Sequence, residues 1–365
     1  MKLERMRLMC AAATGIVLAT SGLAAASAAG VTRPGVPRPA GPFPEFGSLD
    51  SVAATSATNA WAVGNVGPDS ETAEIFHWNG RTWKRTPAPF SPSRTRLVSV
   101  AATSASNAWA LGTDVILHWN GRTWKRTPIP RLSALGDLSS VAATSAANAW
   151  AVGSMSAGKK TRSLVLHWNG RKWRQVASPS PAAVVQLDGV AATSARSAWA
   201  VGSADNPVTS DFNSLVLHWN GKTWKSVPNP NTAPGPEAVT ARSASSAWAV
   251  GETGFSSTWI LRWNGRTWKR VPSPNPAAGS FLDGVAATSA TNAWAVGDNG
   301  GGSGLILRWN GKTWRQVTAE APGVLLGVAA TSATNAWAVG FTQPSHNVLK
   351  VVVMHWNGAT WKTLT

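Results

Sequence analysis

Tyrosine is absent from the 365 residues, cysteine occurs once, and acidic residues number 16 against 33 lysines and arginines. Each shortage closes a class of chemistry. Without tyrosine there is no sialidase-type nucleophile, and no copper site of the kind that uses a tyrosine and a Cys–Tyr link. With one cysteine there is no internal disulfide, so stability must come from packing. Beyond the first thirty residues, no segment is long and apolar enough to span a bilayer. Charged residues are only 13 % of the chain, yet the net charge is +17. Against these absences stands an excess, 22 tryptophans, which calls for a structural cause.

The N-terminus reads as a targeting segment. Lys2, Arg5 and Arg7 form a basic start, an Ala-rich apolar stretch follows from Cys10, and Ala26-Ser27-Ala28 fits a signal-peptidase site. Residues 1–28 are therefore expected to be a signal peptide, and the mature chain to be secreted and free of thiols. Residues 29–47 are Pro-rich and read as a linker.

From residue 48 to 365 the chain repeats itself. A phrase of the type VAATSATNAWAVG begins at Val52, Val100, Val141, Val190, Val239, Val285 and Val328, at intervals of 41 to 49 residues. Each copy is followed by a WNGxxWK phrase or a close variant. A fixed period of this length marks a solenoid, a propeller or an array. Within one unit every signal is strand-like: alternation in LDGVAATSA, a short apolar run in NAWAVG, alternation again in SLVLHW, and a closing RKWRQVASP that stops at proline. Four short strands per unit and seven units predict an all-β, seven-bladed β-propeller with four antiparallel strands per blade. The rungs of a β-solenoid are shorter and carry fewer turns.

Three tryptophans per unit account for 21 of the 22. Trp61, Trp78 and Trp83, Trp109, Trp119 and Trp124, and Trp150, Trp168 and Trp173 are the first three sets, and all are expected to fill space between blades. Asn-Gly between two tryptophans is a strong hairpin signal. A two-residue type I′ turn at Asn79-Gly80 would pair Trp78 with Arg81 and Phe76 with Trp83, and would permit a Trp78–Arg81 cation–π contact. Ring closure has two candidate devices, tryptophan packing between the first and last units and help from residues 43–47.

The run GVAATSATNAWAVGDNG…LILRWNGKTWRQV resembles the repeat of Asp-box (BNR-like) propellers, particularly the photosystem II assembly-factor type. It also resembles Trp-rich repeat proteins secreted by actinobacteria. The resemblance covers about residues 49–365 and implies the propeller architecture. The Asp of the Asp box is replaced by Trp78, Trp119, Trp168, Trp219, Trp263, Trp309 and Trp356, so no role of that Asp carries over, and fold likeness transfers no activity.

Candidate chemistry is sparse. Asp50, Asp188 and Asp283 recur ahead of the repeat phrase and read as turn formers. The remaining acids are scattered through loops and form no glycosidase-like pair. His77, His118, His167, His218 and His355 recur once per unit, but Arg262 and Arg308 replace them in two units, which a metal site would not tolerate. No catalytic residue, metal or cofactor is expected. The basic residues are more telling. Arg81, Lys84, Arg85, Arg122, Lys125, Arg126, Arg266, Lys269 and Arg270, with their equivalents, make a belt of 17 cations in one stretch of each unit. Such a belt either protects edge strands from aggregation or holds a polyanion, with nucleic acid only as a nonspecific case. The loops after AVG vary most between units and are the place for selectivity. Asp205, Asp211, Phe212, Phe255 and Trp259 are the candidate binding residues there, Trp259 being either a sugar platform or a core residue of the fifth unit. Three functions are consistent with this pattern. The first is a secreted, non-catalytic scaffold that binds a glycan, an anionic cell-envelope polymer or a protein. The others are a secreted glycan-active enzyme and a self-associating adhesive surface protein.

Overall fold

The computed structural model describes residues 43–365 except 68–71, 90–94, 113, 132–135, 206–211, 231–233, 255–256, 320, 346–347 and 365. The expected signal peptide, and linker residues 29–42, lie outside the described residues. Twenty-eight strands form seven four-stranded sheets, each made of four strands consecutive in sequence and all antiparallel. The blades span 47–85, 97–127, 136–175, 185–226, 234–270, 280–316 and 324–363. In blade one the strands are Gly47–Ser56, Asn59–Val66, Thr72–Trp78 and Trp83–Arg85. First strands of neighbouring blades touch around the ring, and the first strand of blade one touches that of blade seven. The first strand is therefore innermost, and the short fourth strand forms the rim.

The second strand explains the NAWAVG phrase. Trp61, Trp109, Trp150, Trp199, Trp294 and Trp337 are fully buried, and Trp248 is nearly so. Each reaches across to the next blade and meets the two tryptophans of its outer hairpin. Trp61 lies 5.0 Å from both Trp119 and Trp124, tilted to the first and edge-on to the second. Trp109 meets Trp168 and Trp173 at 5.2 and 5.3 Å, and the same triad recurs at every blade boundary. At the last boundary Trp337 of blade seven meets Trp78 and Trp83 of blade one at 5.0 and 5.1 Å. Edge-to-face and tilted contacts at these distances add to the area each indole buries.

The glycine ending the phrase also has a mechanical cause. Every inner strand carries a register shift opposite it, in blade one between Leu49 and Ser51, which marks a β-bulge. There the inner strand presses on the second strand, and a Cβ on Gly64 would overlap the carbonyl oxygen of Ser48. The same overlap with inner-strand backbone stands at the equivalent glycine of each blade, Gly153 and Gly297 among them.

The outer hairpin differs from the two-residue turn expected from Asn-Gly. Trp78 pairs with Trp83, His77 with Lys84 and Phe76 with Arg85. The loop is therefore four residues long, Asn79 to Thr82. Asn79 Oδ1 accepts the backbone N–H groups of Arg81 and Thr82 at 3.0 Å each, and Gly80 takes φ +93°. An Asx-type turn thus does the work assigned to a type I′ turn. The Trp78 indole N–H donates to Ala57 O at 2.9 Å, rather than the ring packing on Arg81. That bond ties the outer hairpin to the TSATN turn and recurs in all seven blades. Both turns hardly vary in sequence because each is the other's packing partner.

Residues 43–47, assigned to the linker, are packed. Phe43 is buried against Phe76 and Trp83. Phe46 bridges Lys350 of blade seven and accepts from Gly67 N at 3.0 Å, and Glu45 pairs with Lys350 at 2.7 Å. Both candidate closure devices are thus present at the junction of blades one and seven.

Replacing Trp337 with alanine leaves a cavity at that junction. The expected cost is about 3–5 kcal/mol, measured as a loss of unfolding free energy in urea. Trp259→Ala, which removes a core indole away from the junction, should cost a similar amount. Only Trp337→Ala should increase proteolysis at the N-terminal end of the packed body, because only there does chain closure depend on the triad.

Candidate functional site

Three places hold polar chemistry: the central channel, the slot beside each second-strand tryptophan, and the rim. The channel has a cavity volume of about 540 Å³ and is lined by the inner strands of all seven blades. The bulged residue of each inner strand lines it: Asp50, Val98, Ser139, Asp188, Glu237, Asp283 and Leu326. The recurring aspartates are therefore not turn formers ahead of the strand. They are bulge residues within it, turned to the axis by the extra residue. Asp50 accepts from Ser48 Oγ at 2.7 Å and from Asn65 Nδ2 at 3.0 Å. Asn65 in turn bonds both the N–H and the carbonyl of Leu97, at 3.2 Å each, across to blade two. The signal for this ring was the recurrence of an acid two residues before the repeat valine, which a turn explains equally well until the bulge is seen.

The histidines stay apart, one per blade, and among the described residues no group of three or more His, Cys, Asp or Glu could hold a metal. His77 stacks on Trp61 at 4.1 Å, and its Nε2 lies 2.8 Å from Asn59 Oδ1. Asn59 donates to Thr55 Oγ1 at 2.7 Å. His118, His167 and His355 repeat the arrangement, and His218 sits against Trp199 with Ser197 as its neighbour. Arg262 lies over Trp248 and Trp309, and Arg308 over Trp294 and Trp356, with 4.9–5.4 Å from guanidinium carbon to ring centroid. The slot is a place between blades that accepts a flat, nitrogen-bearing group, which is why His and Arg interchange there.

The variable-loop candidates do not assemble into a site. Trp259 is fully buried in the core of blades four and five. It stands opposite Gly251, where Leu164, Leu215 and Leu305 stand opposite the matching glycines. It cannot present a face to a sugar, and the core alternative holds. Asp205 Oδ1 accepts from Val184 N at 2.6 Å, fixing the connection between blades three and four. Phe212 pairs with Asp205 in the ladder and is half-buried. Asp211 and Phe255 lie outside the described residues.

The rim is where charge collects. All 17 cations of the belt are exposed. Ten lie on fourth strands, such as Lys84, Arg85, Lys125, Arg126, Lys269 and Arg270, and seven lie in the outer hairpin loops, such as Arg81, Arg122 and Arg266. Arg85 is paired with Glu74, a carboxylate 5 % exposed at a place where blades three, four and six have leucine. Burial pushes the Glu74 carboxyl above its ordinary range, and Arg85 opposes that shift. Of the eleven described acids, six are buried: Asp50, Glu74, Glu237, Glu252, Asp283 and Asp298. No tryptophan is in the exposed class, and Leu364 is the one exposed large hydrophobic among the described residues. Among the described residues the belt cations are thus on the surface, six of eleven acids are buried, and the indoles are not on display.

No family model and no curated protein matches the chain. Solved structures of similar shape match it over more than nine-tenths of their own length, at low identity. YCF48 bound to a D1 peptide is 18 % identical with a TM-score of 0.57, over 85 % of this chain and 94 % of that one. YCF48 from Cyanidioschyzon merolae is 18 % identical at a TM-score of 0.56, over 85 % and 96 %. The fucose-specific lectin from Aleuria aurantia is 13 % identical at 0.51, over 77 % and 97 %. These likenesses show the propeller fold.

Burial lowers the pKa of His77, His118, His167, His218 and His355. The unfolded chain takes up protons near pH 6.5 while the folded protein does not, so their contribution to stability is complete above that pH and declines as the pH falls through it. Glu74 and Asp298, raised by burial, act in the opposite sense at lower pH. Thermal midpoints measured from pH 8 to 5.5 should fall. His77→Arg and His118→Arg, which copy blades five and six, should flatten that fall. A flat profile in the parent protein would contradict the assignment.

Proposed function

We propose that this chain is a secreted, non-catalytic binding propeller whose basic rim holds an anionic polymer of the cell envelope, a phosphate- or carboxylate-bearing glycan. The observation that carries this reading is the segregation of charge. Edge protection accounts for cations on the fourth strands, which are open sheet edges. It does not account for the seven cations of the hairpin loops, which lie on no ladder. Nor does it account for the burial of six of the eleven described acids in the channel and core, since mixed surface charge would protect edges as well. Two ranks of cations repeated around a rigid ring suit a long, regularly charged chain better than one small anion, because many weak contacts then add in effective concentration.

Known propellers of this shape lend support as examples of binding without chemistry. One of the structures above is bound to a peptide, and another is a fucose-specific lectin. The leader at 1–28 supports export, and mass spectrometry of the exported protein should find Ala29 at its N-terminus.

The polymer reading is tested by retention on immobilised poly(glycerol phosphate). Retention should weaken steadily as salt rises, since each neutralised anion releases a counterion. A variant with Arg122, Lys125, Arg126, Arg266, Lys269 and Arg270 changed to glutamine should elute at lower salt and show a shallower log–log salt slope. Retention that survives high salt, or that is indifferent to the six substitutions, would contradict the reading.

A further inference from the structure

A sevenfold repeat makes each departure from it informative, and two departures meet at one place. At the third position of the outer hairpin loop, six blades carry a cation: Arg81, Arg122, Arg171, Lys222, Arg266 and Lys312. Blade seven has Ala359. The chain leaving blade six departs as well. Blades one, two, four and five continue from their fourth strand with Pro87, Pro128, Pro228 and Pro272, where blade six has Thr318. One residue further, Ser178, Asn229 and Ser273 bond to the third strand of their own blades through Ser163, Ser214 and Thr258, at 2.7, 2.5 and 2.8 Å. Blade six has Ala319 there, and Gly304 in place of the third-strand hydroxyl. A long side chain present in six blades and a ring present in four are thus missing at the boundary between blades six and seven; the polar pair of blades three, four and five is absent from blades one and two as well, and Gly304 packs against Ala321.

Beside Thr318 and Ala359 the surface is open. A crevice with a volume of about 460 Å³ lies between the exit of blade six and the outer hairpin of blade seven. Its walls are Trp356 and Trp361, its apolar floor includes Val317 and Ala319, and Thr318 and Thr360 bring hydroxyls to it. Such a volume falls in the range of about 300–1,000 Å³ typical of small-molecule sites. No acid or base lines it, so an ion has nothing to pair with there. A purely apolar ligand would cover threonine hydroxyls without replacing their bonds to water.

We propose that this crevice is a subsite for a neutral pyranose. A sugar ring brings a C–H face to the indole edges and methyl groups and hydroxyls to the threonines, so both kinds of lining are used. The subsite is independent of the polyanion reading, because its ligand is uncharged and its place is the one gap in the hairpin rank of cations.

Uniformly ¹⁵N-labelled protein reports on the crevice, since Trp361 and Trp356 line it and each carries an indole N–H, that of Trp356 donated to Ala333 O at 3.0 Å. The Trp361 signal is identified by its loss in Trp361→Phe. Titration with N-acetyl-D-glucosamine and, separately, with α-methyl-L-fucoside should shift the Trp361 or Trp356 signal saturably for at least one sugar. Ala359→Arg restores the residue found in four other blades, so the fold accommodates it, and it sets a long cationic side chain on a residue that lines the crevice. Binding should weaken at least tenfold in that variant, and Ala359→Gln should weaken it less. The proposal is overturned if neither sugar moves either signal, if only indoles of other blades respond, or if Ala359→Arg binds as the parent does. Retention on poly(glycerol phosphate), scored in the same variant, reports separately on the rim.

Discussion

The interaction on which everything else depends is the contact of one buried indole with two others across each blade boundary. A sheet of four short strands has two faces to bury and cannot do so alone. Here the second strand of each blade supplies one fully enclosed tryptophan, and the outer hairpin of the next supplies two. The unit of cohesion is therefore the boundary rather than the blade. Because each blade both gives and receives, the contacts form a closed cycle of seven, ending where Trp337 meets Trp78 and Trp83. Among the described residues no strand is exchanged between the chain's ends to lock the ring, since every sheet is built from four consecutive strands. Closure instead combines the seventh triad with Phe43, Glu45 and Phe46 laid across the first and last blades.

Two further constraints follow from that geometry. Pressing the inner strand against the second requires glycine at the end of each NAWAVG phrase and a bulge opposite it. The bulge turns one residue per blade toward the axis, and four of these seven are acids. These four acids thereby line the channel, while the outer hairpins, whose tryptophans are committed inward, keep lysine and arginine outward. A basic exterior around a partly acidic interior is in this sense a consequence of how the blades are built, and it supplies the rim on which the proposed function rests.

Most of the architecture could be read from the sequence because the repeat states it seven times. The count of blades, the four strands in each, and the structural role of Trp61, Trp78 and Trp83 all follow from recurrence. What recurrence could not convey was geometry within the unit. Asn-Gly indicated a hairpin but not that Asn79 would cap a four-residue loop and shift the pairing so that Trp78 faces Trp83. Asp50, Asp188 and Asp283 looked like turn residues because a bulge leaves no pattern of its own in sequence. Trp259, outside the repeat, invited a functional role, yet it only replaces a leucine in the core. The crevice beside Ala359 was hidden for a related reason. Its signal is the loss of a repeated residue, and a loss carries meaning only once the structure shows what that residue would fill.

The account is tested most directly by the accessibility of the indoles to a small neutral quencher. Acrylamide titrations of tryptophan fluorescence, in buffer and in concentrated guanidinium chloride, compare the closed ring with the open chain. With no tryptophan in the exposed class, quenching of the native protein should be shallow and should steepen severalfold on unfolding. Native quenching as steep as that of the unfolded chain would mean that the indoles face water. The cycle of triads would then not be what holds the blades together.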